Sequence, residues 1–107
     1  MMKSLTVLSA VLAAMALSGC GNSGINCNSA TDFACVESTW PGVMAPAPTC
    51  TGTYTTVTAC ATGQINTCTF TDSTTYPSPV TSVIKYYTGA NVTAGQAFCT
   101  SRSGTWQ

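Results

Sequence analysis

Seven cysteines, at positions 20, 27, 35, 50, 60, 68 and 99, restrict most strongly what this 107-residue chain can fold into. A domain this small buries a modest share of its surface, and its core leaves a thin margin over conformational entropy unless covalent staples help. Cys20 closes an apolar leader and is expected to stand apart from the others. The remaining Cys27, Cys35, Cys50, Cys60, Cys68 and Cys99 are even in number, which in an exported chain reads as three disulfides. Sequence alone leaves their connectivity open. At ~2–4 kcal/mol each, such bridges rival the whole stability of a small domain. A zinc centre would call for close pairs of the C-x2-C kind. Here the successive separations from Cys27 are 8, 15, 10, 8 and 31, and histidine is absent. No metal and no cofactor is expected.

The N-terminus opens with Met1, Met2 and the positive Lys3, followed by an apolar run from Leu5 to Leu17. Spanning a bilayer takes about 20 apolar residues, so this run suits a signal-peptide core rather than a transmembrane helix. It ends in Leu17-Ser18-Gly19-Cys20, which resembles the lipobox of bacterial lipoproteins: leucine at −3, small residues at −2 and −1, cysteine at +1. The resemblance implies that residues 1–19 are a signal peptide removed by a dedicated peptidase. It also implies that Cys20 carries diacylglycerol on its sulfur and an acyl group such as palmitate on its new amine. Two or three acyl chains make release from a membrane very slow. In that family aspartate after the cysteine retains the protein at the inner membrane. Gly21 stands there instead, which implies the outer membrane in a host that has one. The competing reading is an ordinary secretory leader.

Residues 20–26, short and polar after the lipidated cysteine, read as a flexible leash of at most about 20 Å. Residues 27–107 read as the disulfide-stabilised domain. Within it, Cys27 to Trp40 is expected as helix or loop with Asp32 near its start. Trp40-Pro41-Gly42 is turn chemistry, and Pro46 and Pro48 keep residues 41–49 extended as a surface linker. The Thr, Tyr and Val content of residues 50–60 and 67–72 predicts two strands joined by a loop that carries Gly63. After a turn over Asp72 to Ser78, Val80 to Thr88 predicts a third strand. Val83, Lys85 and Tyr87 share one of its faces, Ile84 and Tyr86 the other. Thr93 and Gln96 fit a capping box with Val92 and Ala97 as its staple. This predicts a helix from Ala94 to about Ser101, with Phe98 and Cys99 inward, Gly104 as the stop and Trp106 folded back on it. The fold class expected is small, disulfide-rich α+β or mainly β: a few antiparallel strands plus a short C-terminal helix.

The second half also loosely resembles a cysteine-containing pattern of small surface lipoproteins of unassigned function. The residues that carry it are Thr67-Cys68-Thr69, Tyr86-Tyr87, Thr93-Ala94, Gln96-Ala97, Cys99 and Gly104-Thr105-Trp106. The resemblance implies an architecture and no activity. Alongside it stands the expectation that Cys68 on a strand bridges Cys99 on the helix, stapling two layers.

Titratable chemistry is sparse. No histidine can act as a base, and Asp32, Glu37 and Asp72 are scattered with no motif around them, so no enzyme activity is expected. Lys85 and Arg102 form no basic patch, which excludes nucleic acid as a partner. No glycine-rich phosphate loop lies between a strand and a helix. Asn91-Val92-Thr93 matches a glycosylation sequon but reads as helix capping. Thr49, Thr51, Thr53 and Thr55 alternate, as do Thr67, Thr69 and Thr71, and the Thr-Cys-Thr triplets resemble the arrays of β-helical ice-binding proteins. Those repeat at a short fixed period; these two copies lie 18 residues apart without a third. Threonine covering an exposed sheet is the simpler reading. Among the aromatics, Tyr86, Phe98 and Trp106 read as core, while Trp40 and Tyr76, flanked by turn prolines, read as an exposed binding pair. The expected function is a lipid-anchored envelope or surface lipoprotein, a non-catalytic structural or interaction module. Its partners would be the membrane, through the lipid, and an envelope protein or glycan. A disulfide-rich inhibitor of a foreign enzyme is the alternative, with carbohydrate or ice adhesion a third reading.

Overall fold

The computed structural model describes residues 21–107. The expected leader, residues 1–19, and the expected lipidation site Cys20 lie outside the described residues. Six strands make one antiparallel sheet in the order β3-β1-β2-β5-β4-β6. They are β1 (Asn22–Ser29), β2 (Ala34–Pro41), β3 (Thr55–Val57), β4 (Asn66–Asp72), β5 (Val80–Tyr86) and β6 (Thr105–Trp106). One helix among the described residues, α1 (Val92–Ser101), precedes β6, and three disulfides complete a small disulfide-rich α+β fold. Among the described residues no helix is long and apolar enough to cross a membrane.

The first half of the chain departs from the expectation. Residues 22–26, read as a leash, begin β1, and residues 27–40, read as helix or loop, finish β1, turn and run back as β2. The two pair at all eight positions, from Asn22↔Pro41 to Ser29↔Ala34. Ala30, Phe33, Ala34 and Val36, whose spacing suits a helical turn, are instead divided between a tight turn, where Phe33 takes φ 52°, and the inward face of β2, where Ala34, Val36, Ser38 and Trp40 alternate. The turn is tied by Ser29, whose buried hydroxyl donates to Asp32 Oδ2 at 3.0 Å and accepts from the Asp32 amide at 3.2 Å.

The strand expected over residues 50–60 shrinks to three residues at the sheet edge, paired with β1. Its neighbours are held instead by the bridges at Cys50 and Cys60. Because β3 and β4 lie on opposite sides of β1, β2 and β5, residues 58–65 cross one face of the sheet. Three contacts fasten that crossing: Asn26 Nδ2 donates to the Thr58 carbonyl at 2.9 Å, Tyr87 OH donates to the Ala61 carbonyl at 2.7 Å, and Cys60 bridges Cys35.

The second half follows its pattern closely. In β5, Val80, Ser82, Ile84 and Tyr86 are buried while Thr81, Val83 and Lys85 lie on the other face, where Lys85 pairs with Glu37 at 3.0 Å. The helix starts earlier than the capping box implied. Asn91 is its N-cap, accepting from the Ala94 amide at 3.0 Å, because the Tyr87–Ala90 turn already delivers the chain in position. Cys99 is fully buried, but Phe98 is 37% exposed, its ring edge-on to Phe70 at 5.7 Å. Trp106 joins the sheet as part of β6 opposite Cys68, and its ring packs on Tyr86 at 5.4 Å.

The three bridges are Cys27–Cys50, Cys35–Cys60 and Cys68–Cys99. The last is the pairing that was expected. The register puts Cys27, opposite Val36, on the helix-bearing face and Cys35, opposite Asn28, on the crossing face. One bridge therefore fastens the crossover, and the other two fasten loop 42–54 and α1 over the opposite face. Beneath them lie two small cores, one of Ala34, Cys68, Ile84, Tyr86 and Cys99, the other of Trp40, Met44 and Val80.

Candidate functional site

The end of the sheet where β1 begins is also where β2 and β4 end and β5 begins, since Asn22 pairs with Pro41 and Asp72 with Val80. Two loops leave from it. The first, Pro41-Gly42-Val43-Met44-Ala45-Pro46-Ala47-Pro48, has no charged or hydrogen-bonding side chain. It is sewn to the chain start: the Gly42 amide donates to the Gly21 carbonyl at 2.9 Å, and Ser23 Oγ donates to the Gly42 carbonyl at 2.7 Å. Gly42 takes φ 66°, a conformation that costs glycine little, and the reversal folds Met44 inward while Val43 points to solvent. Val43 is 88% exposed, and Pro41, Ala45, Pro46 and Ala47 are exposed with it.

Trp40 and Tyr76 meet at this end, though not as an exposed pair. Trp40 is 5% exposed because it lies on the inward face of β2 and Met44 closes over it beside Val80. Its Nε1–H is buried without a hydrogen-bond partner. Tyr76, from the second loop, is half-buried against the same cluster. That loop starts at Asp72, whose Oδ1 accepts from the Thr74 and Thr75 amides at 3.0 Å each. Hydrogen bonds from Thr75 and then Thr74 hold the Asp72 carboxyl down to about 2.

A cleft of about 480 Å³ opens next to this end, on the helix-bearing face. Its floor includes Ile25, Val36 and Ile84, with the Ser38 and Ser82 hydroxyls sharing a hydrogen bond of 2.8 Å. Phe98 and Arg102 form one wall, and Pro48 to Thr51 with the Cys27–Cys50 bridge form the other. Arg102 lies over the Phe98 ring at 4.8 Å from its centroid. Burial pushes the Tyr54 and Tyr86 hydroxyls up, with Asp32 adding to the first and Tyr54 to the second. The cleft thus combines an apolar floor and a central hydroxyl pair with polar and charged groups in its lining, Thr49, Thr51, Asp72 and Arg102 among them. It is suited to holding a segment that is apolar in part and carries hydrogen-bonding groups.

The threonine ladders have different fates. Thr49, Thr51 and Thr53 lie in loops, where Tyr54 N–H bonds the Thr51 carbonyl at 3.1 Å and Thr53 Oγ1 donates to Asp32 at 3.1 Å, so only Thr55 reaches a strand. Thr67, Thr69 and Thr71 do share one face of β4, opposite Lys85, Val83 and Thr81. Residues 41–49, expected as an extended surface linker, do lie at the surface, but the chain reverses at Gly42 and buries Met44 and Pro48. That the exposed remainder forms one apolar surface was signalled in the sequence only by eight successive residues without a polar side chain. No protein-family model, curated protein sequence or solved structure matches this chain.

Proposed function

We propose that this protein is a lipid-anchored module of a bacterial cell envelope, held by acyl chains on Cys20, with the outer membrane as its site in a host that has two. It works without catalysis, engaging another envelope component through the cleft between α1 and residues 48–51. The observation that supports export is the pairing of all six cysteines of the folded domain into disulfides, which persist outside the reducing cytosol. The lipid anchor rests on the resemblance of the leader's end, Leu17-Ser18-Gly19-Cys20, to a lipobox. The alternative of an ordinary secreted domain shares the disulfides and lacks the acyl chains.

Intact-mass measurement on protein extracted from membranes tests this. The expected species starts at Cys20, carries the mass of two or three acyl chains and has no free thiols. A retained leader, a non-acylated Cys20, or reduced cysteines in the native protein would each overturn the proposal.

A further inference from the structure

We infer that loop 41–48 is a membrane foot: an apolar surface that rests in the headgroup region of the bilayer and fixes how the domain stands on it. The inference rests on the lipid anchor proposed above. Only Gly21 separates the expected lipidated cysteine from β1, so the leash read from the sequence is replaced by a strand that starts at the membrane surface. The Gly42 amide bonds the carbonyl of that same Gly21, which places the loop beside the anchor.

The composition of this end fits a lipid partner. Among the described residues Val43 is the most exposed of the large apolar side chains, at 88%, and Pro41, Ala45, Pro46 and Ala47 are exposed around it. The neighbouring loop adds exposed Pro77 and Pro79 and the half-buried Tyr76, a ring type favoured where apolar and aqueous layers meet. Asp72 is the sole charge in residues 41–48 and 72–79, and its carboxylate is folded onto Thr74 and Thr75. With no lysine or arginine there, contact depends on apolar burial and not on attraction to anionic lipid. The eight residues of β1 then carry the turn at residues 30–33 roughly 25 Å from the bilayer.

The experiment uses the full chain processed in bacteria, purified in detergent and reconstituted into phosphatidylethanolamine and phosphatidylglycerol vesicles containing brominated acyl chains. Val43→Trp reports the foot and Thr31→Trp the distal turn, each corrected for the emission of Trp40 and Trp106. Both positions are exposed, and intact mass verifies the three bridges and the acylation of each variant. With Cys20 acylated, Val43→Trp emission should shift to the blue and lose most of its intensity to bromine, equally at low and high salt, while Thr31→Trp keeps its intensity. An acylated protein whose Val43→Trp is quenched no more than Thr31→Trp, or whose quenching disappears with salt, overturns the foot and leaves the anchor standing. A non-acylated Cys20 overturns the anchor and the foot with it.

Discussion

Gly95 of α1 lies against the ring of Tyr86: a Cβ built there would stand 2.8 Å from Cζ and 3.0 Å from Cε1. Tyr86 is 9% exposed, and its ring also packs against Trp106, so it has little room to retreat. In an open helix, alanine is favoured over glycine by about 1 kcal/mol. Overpacking a filled site costs about 1–3 kcal/mol and should win here. Gly95→Ala is therefore expected to lower stability by about 1 kcal/mol net, read as a lower urea midpoint at unchanged slope. A raised midpoint would mean that the ring is free to move aside.

The start of α1 distinguishes two caps. Asn91→Ala removes the oxygen that accepts from the Ala94 amide and should cost about 1 kcal/mol. Thr93 lies inside the helix, so Thr93→Ala should change stability by only a few tenths of a kcal/mol. Thermal melts of the two variants check this. A larger loss from Thr93→Ala would place the cap where the capping-box pattern put it.

These two residues illustrate how far the chain could be read in advance. The helix was legible because Thr93, Gln96 and Phe98 carry local signals, yet its cap was misplaced because Asn91 competes equally well and a preceding turn decides between them. The alternation from Val80 to Tyr86 and the count of six cysteines reported on packing directly. By contrast β1 contains Asn22, Gly24, Asn26 and Asn28, residues poorly disposed to strands, and it exists because β2 pairs with it along its whole length. The hairpin is local, closing at Ser29↔Ala34, but its turn signal is confined to Ser29 and Asp32 and the strand residues themselves carry none. Trp40 reads as exposed because the turn prolines beside it suggest surface, whereas its burial depends on Met44 folding back across the Gly42 turn.

Asp72 should impose an acid limit on its loop. Its carboxyl is lowered from 3.8 to about 2 by hydrogen bonds from Thr75 and Thr74 that favour the ionised form. A depressed folded-state value means that the group favours the folded loop above the unfolded value and loses that effect as pH falls through about 2. The Thr74 and Thr75 amide resonances should accordingly titrate with a midpoint near 2, and in Asp72→Asn they should show no such step. A midpoint at the ordinary aspartate value in the wild-type protein would contradict the turn.

The three disulfides should differ in resistance to reductant, and exposure rather than loop length should set the order. Their sequence separations are 23, 25 and 31. Loop-closure entropy distinguishes the extremes by only about 0.3 kcal/mol. Exposure divides them more sharply. Cys68 and Cys99 are both 0% exposed, whereas Cys50 and Cys60 are half-buried partners in the other two bridges. Thiolate attack needs access to a sulfur, so the first two bridges can open in the folded protein while Cys68–Cys99 must wait for α1 to leave β4. Graded reduction with alkylation and peptide mapping should label Cys50 and Cys60 first. Label should reach Cys68 and Cys99 only at denaturant concentrations that unfold the domain. Native-state labelling of Cys68 ahead of the others would show that the helix lifts from the sheet on its own, and the bridge would then be a flexible hinge and not the sealed staple that the burial describes.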